Sequence, residues 1–134
     1  MRKFSGTATQ DVFVPFQVPP DLNGTSFKFR VIFFITETAP SNKGVAFYLK
    51  GMSMGDGDPL SGALGSAVKS SITGRSDAQY DRVATVLSGD VTITNLASGE
   101  TVMLNLYRTS GGDDNYDQKV GVFGVEFQYS RTLA

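Results

Sequence analysis

A chain of 134 residues with 12 Lys and Arg against 13 Asp and Glu has room for one domain with its own core, and its net charge of −1 gives no field to hold a polyanion. It contains neither histidine nor cysteine, which removes Ser-His-Asp and Cys-His nucleophiles, imidazole- and thiolate-bound zinc, the usual general base at neutral pH, and every disulfide. We therefore expect neither an enzyme nor a dedicated nucleic-acid binder, but a chain that folds in a reducing cytosol and meets a protein partner.

Residues 1–10 begin basic, with Arg2 and Lys3, yet no apolar run follows the charges, so no signal peptide is expected. Residues 31–35 form the longest apolar run, far short of the roughly 18 residues of a spanning helix, so no membrane partner is expected either. Residues 1–10 read as a polar N-terminal arm and residues 11–134 as a single domain.

In chain order, residues 11–18 alternate as a strand, and Pro15, which cannot donate to a ladder, places it at a sheet edge. Residues 21–24 are a turn. The strand over residues 26–37 puts Phe27, Phe29, Val31, Phe33 and Ile35 on one face. Its other face opens with Lys28 and Arg30 and becomes apolar at Ile32 and Phe34, so that side needs a cover, either a crossing segment of this chain or a neighbouring subunit. Residues 45–54 resume a strand, residues 55–65 are a polar surface loop, and residues 66–72 are ambiguous between a strand and a helical turn. Residues 80–87 read as a strand ahead of a turn at 88–90.

The tail is the clearest part. Residues 91–95 and 101–108 are strands joined by a Gly-containing turn, and a polar loop over 109–118 leads to a last strand. There Phe123, Val125, Phe127 and Tyr129 share one face, read as core, against Glu126 and Gln128 on the other. About eight strands and no helix predict an all-β antiparallel sandwich. The jelly roll leads over a seven-strand immunoglobulin-like sandwich, because the chain has neither the tryptophan nor the cysteine pair that the latter often carries.

Few motifs carry chemistry. Ser66 and Lys69 spell S-x-x-K, but the companion motifs and a helix to present them are missing. Asn23 to Thr25 is a glycosylation sequon that reads more simply as a turn. Asp56 and Asp58, and Asp113, Asp114 and Asp117, offer oxygen ligands, yet neither cluster follows the twelve-residue calcium loop, and Asp and Gly are equally what turns demand. Glu37, Glu100 and Glu126 fall at a strand end, a turn and a solvent face, a poor arrangement for paired-carboxylate hydrolysis. No metal, cofactor or small-molecule substrate is expected.

From residue 91 to 129 the order of strand, Gly-Glu turn, strand ending in Leu106, Tyr107 and Arg108, acidic Gly-rich loop and Gly-rich aromatic strand resembles the last strands of C1q/TNF-like jelly rolls. More loosely, the whole run resembles small jelly-roll virion proteins of tailed bacteriophages, which as a class form trimers that decorate capsids or cap fibres. The resemblance implies a homotrimer on the capsid exterior, made in the host cytoplasm, with the phage major capsid protein as partner and no catalytic residue. On that reading Met1, Arg2, Lys3 and Phe4 are the capsid-contact candidates and Ile32 and Phe34 the trimer-interface candidates. The alternative is a fibre knob recognising a host surface glycan, with loops 56–65 and 111–117 facing sugar and Tyr80 and Tyr116 serving as stacking rings.

Overall fold

Alternation of period two builds two antiparallel sheets that bury their facing sides against each other. The computed structural model describes residues 2–6, 10–37, 40–55 and 64–131. Met1, Asp56, Asp58 and most of the 56–65 loop therefore lie outside the described residues. Nine strands are found among the described residues: β1 (Arg2–Phe4), β2 (Gln10–Gln17), β3 (Ser26–Ile35), β4 (Lys43–Ser53), β5 (Val68–Arg75), β6 (Arg82–Ala84), β7 (Val91–Thr92), β8 (Thr101–Arg108) and β9 (Val120–Gln128). One sheet runs β1-β9-β3-β6 with β7 also on β3, and the other runs β2-β8-β4-β5.

Both β6 and β7 pair with the same side of β3, as two halves of one interrupted strand. Counted so, the eight strands lie in the order first-eighth-third-sixth and second-seventh-fourth-fifth. That is a jelly roll. Phe29, Val31, Phe33 and Ile35 of β3 meet Val45, Phe47 and Leu49 of β4 and Val102, Leu104 and Leu106 of β8 in the core between the sheets. The edge position read from Pro15 holds, since among the described residues β2 pairs only with β8.

Three expectations are resolved or corrected. Of the two readings open for residues 66–72 the strand is the one found: β5 covers Val68–Arg75 and pairs with β4. The strand expected over 80–87 is only three residues long, because the chain leaves the ladder after Ala84 and rejoins it at Val91.

The third concerns β9. Ile32 pairs with Gly124 but Phe33 pairs with Val122, so Phe123 is an extra residue in a β-bulge. One inserted residue reverses the alternation. Val125, Phe127 and Tyr129 pack on the core as expected, but below the bulge Val122 takes over the inward side and Phe123 points out, 81% exposed.

Where the strand breaks between β6 and β7, side chains replace the missing ladder. Thr85 N–H donates to Val31 O, and the Val31 N–H donates to Thr85 Oγ1 at 2.8 Å. Ser88 repeats the exchange with Phe29, its Oγ accepting from the Phe29 N–H at 3.0 Å. Between these two, Val86 donates its N–H to Ser71 O of β5, and Ser70 Oγ lies 2.6 Å from both Thr85 Oγ1 and Val86 O. The two sheets are thus hydrogen-bonded to each other along this flank, which buries Ser70, Thr85 and Ser88 without leaving a polar atom unpaired.

Candidate functional site

Arg108 ends β8 on its inward face, in step with Val102, Leu104 and Leu106, and its side chain is fully buried. A guanidinium carries five N–H donors, and burial is tolerable only if all are used. Here they are. Nε and Nη2 fork onto the Asp114 carboxylate at 2.7 and 2.9 Å, Nη2 also reaches Tyr116 O, and Nη1 donates to Gln118 O at 2.8 Å and Phe4 O at 3.3 Å. Asp114 accepts in addition from the Ala46 N–H. One cation thereby fixes the 109–118 loop, β4 and the N-terminal strand together, with the Tyr116 ring lying against it. Sequence reasoning missed this pair, although an arginine on the buried register of a strand, with aspartates five and six residues further on, was a signal for it.

The arm expectation fails at Phe4. Residues 2–4 are strand β1, paired with Val120–Val122 of β9, and Phe4 has no exposed surface, its ring packing edge-on against Phe47 at 5.7 Å between centroids. Gly6 is also buried, with no room for a Cβ against the backbone of residues 117 and 118. The reason is the apolar ring: even directly after a pair of cations, a phenylalanine is worth more in the core than on an arm. Phe4 is therefore not a surface contact. Arg2 and Lys3 contribute their backbone to β1, and Met1 lies outside the described residues.

Ile32 and Phe34 lie on the outer side of β3, opposite Gly124 and Gly121. Ile32 is already covered within one chain, at 4% exposure, so its burial calls for no neighbour, while Phe34 keeps part of its ring accessible. Arg30 pairs with Glu126 beside them at 2.9 Å, and Arg82 approaches the same carboxylate.

The outer side of the other sheet carries a group that the sequence did not single out. Register brings Tyr48 of β4 beside Tyr107 of β8, and the rings stack at 5.2 Å and 11°, with Lys50 Nζ 5.5 Å from the Tyr107 centroid. Burial raises the Tyr107 hydroxyl above its ordinary pKa. Phe13 of β2 stands on the same side, 53% exposed.

The acidic loop has no vacant set of ligands. Asp114 is consumed by Arg108, and Asp113 accepts from Lys69 at 2.7 Å and from Ser71, an arrangement that holds its carboxyl below the ordinary range and raises Lys69. No group of three potential ligand side chains gathers among the described residues. Lys69, the lysine of S-x-x-K, belongs to a strand, and exposed Ser66 precedes it. Tyr80 is 70% exposed with φ of 70°, a left-handed conformation that is strained for a bulky side chain, and its N–H donates to Ile35 O. Comparison of the chain with protein-family models, curated proteins and solved structures gives no match.

Proposed function

We propose that this chain is a structural protein of a tailed-bacteriophage virion, a homotrimeric capsid decoration or cement protein that acts by non-covalent contact and catalyses nothing. The supporting observation is where large apolar side chains stay exposed: Phe13 and Val14 on β2, Val86 and Leu87 at the β6–β7 break, and Phe123 on the β9 bulge. A rigid sandwich displaying apolar groups on several sides suits adhesion across a surface better than chemistry in a pocket.

Phe34 and the neighbouring Phe123 bulge form the trimer contact in this reading. The capsid contact moves from residues 1–4 to the outer side of β2-β8-β4-β5, around Tyr48, Tyr107 and Phe13. Contacts distributed across capsomer boundaries resist internal pressure. The test is co-sedimentation with expanded capsids together with light scattering. Capsid binding lost in Tyr107→Ala, and a mass about three times that of the 14.4 kDa chain, support the reading. Binding to host cells instead of capsids would replace it with the fibre-knob reading, which Tyr80 favours as an aromatic ring presented on an exposed loop.

A further inference from the structure

The flank opposite the sealed one is incomplete. Strand β1 covers β9 only at Val120–Val122. Beyond it, Leu22 and Asn23 meet residues 131 and 130. Between these two contacts β9 has, among the described residues, a partner on one side alone, β3. The direction of its free groups follows from register. Val31 and Phe29 spend their N–H and C=O on Thr85 and Ser88. Their antiparallel partners on β9, Val125 and Phe127, therefore turn their own N–H and C=O away from β3 and onto the open edge.

The side chains at these positions point inward yet stay half-buried, where the facing positions of β3 are fully buried. Phe127 meets Phe16 of β2 across the gap at 4.7 Å between centroids. Beside them a shallow cleft is lined by Phe16, Val18, Leu22, Phe27, Phe127 and Tyr129.

The two open edges of this flank differ in their defences. Strand β2 carries Pro15 mid-strand and Asp11 near its start, the devices by which edge strands refuse further pairing. The β9 edge carries no proline or lysine, and its one bulge, at Phe123, lies at the start of the uncovered stretch and leaves Gly124–Gln128 regular. We propose that the edge of β9 from Phe123 to Gln128 is a strand-addition site for an extended segment of a different polypeptide. The added strand continues the line of β1, antiparallel to β9, and exchanges backbone hydrogen bonds with Val125 and Phe127. Its alternate side chains are apolar and close over Val125, Phe127 and Phe16. Continuity with the β1–β9 register sets the direction. The two end strands of the other sheet make poor donors from a second copy, since β2 is broken by Pro15 and β5 already spends Ser71 O on the Val86 N–H. The proposal does not depend on the virion reading.

The experiment probes the full chain with an array of eight-residue peptides that place Val, Ile, Phe or Tyr at alternate positions and Thr or Lys between. Binders are then followed by amide exchange. The expected result is saturable binding that protects the Val125 and Phe127 amides at least about tenfold. Val125→Pro is the decisive variant, because that N–H makes no bond inside the sheet and edge strands accept proline. It should stay folded by circular dichroism and weaken binding about tenfold or more, while Glu126→Ala, on the outer face, binds as before. An array with no binder, binding that Val125→Pro leaves unchanged, or β9 protection caused by self-association would each overturn the proposal.

Discussion

The two flanks of the sandwich solve one problem in opposite ways. On the β5–β6 side the sheets are tied by the Val86–Ser71 and Ser70–Thr85 hydrogen bonds, and the hydroxyls of Thr85 and Ser88 satisfy β3 where the strand is interrupted. On the β1–β2 side three residues of β1 and the contacts of Phe4 and Phe16 do the closing. The sealed flank keeps its core residues dry at the cost of polar groups that must all be paired. The other leaves backbone groups of β9 without a strand partner among the described residues and half-buries the rings beneath them.

The largest predicted effect lies at the anchor of the open flank. Arg108→Met should cost roughly 3–5 kcal/mol in urea unfolding, because Asp114 is left charged and buried without its partner. A loss under about 1 kcal/mol would mean that β1 and the 109–118 loop hold themselves. Next, Phe4→Ala should cost about 3–4 kcal/mol and Phe127→Ala about half that, since the first ring is fully enclosed and the second is not. Equal losses would erase the distinction between a covered and an uncovered stretch of β9.

Ser88→Ala should cost about 1–2 kcal/mol, as it strands the buried Phe29 N–H on the sealed flank. At Asp77 the Arg75 fork, 2.7 Å away, holds the carboxyl below its ordinary range. A depressed carboxylate stabilises the fold above its unfolded pKa, about 3.9, and loses that contribution as pH falls through the lower folded value. The stability gap between wild type and Asp77→Asn should therefore be present at neutral pH and shrink below about pH 4. A gap that grows in acid contradicts the assignment. Phe123→Ala, on the bulge, should change monomer stability by less than about 0.5 kcal/mol.

Much of the fold was legible because β3, β4 and β8 write their buried faces in uninterrupted alternation, and Pro15 marks an edge by chemistry alone. What escaped was whatever depends on a partner far along the chain. The Phe123 bulge is invisible to a period count, since the inserted residue is itself apolar and only pairing with β3 reveals it. Phe4 looked like part of a polar arm because its pocket is made by Phe47, 43 positions away. The stacked Tyr48 and Tyr107 are brought together by register, which composition does not record.

The central claim is that β9 has a paired side and an unpaired one, and hydrogen exchange of the free protein measures it residue by residue. The account predicts that the Val125 and Phe127 amides exchange at least about tenfold faster than those of Gly124 and Glu126, whose groups face β3. Uniform slow exchange along all four positions would show that another segment already lies on that edge, and the open flank would be closed after all.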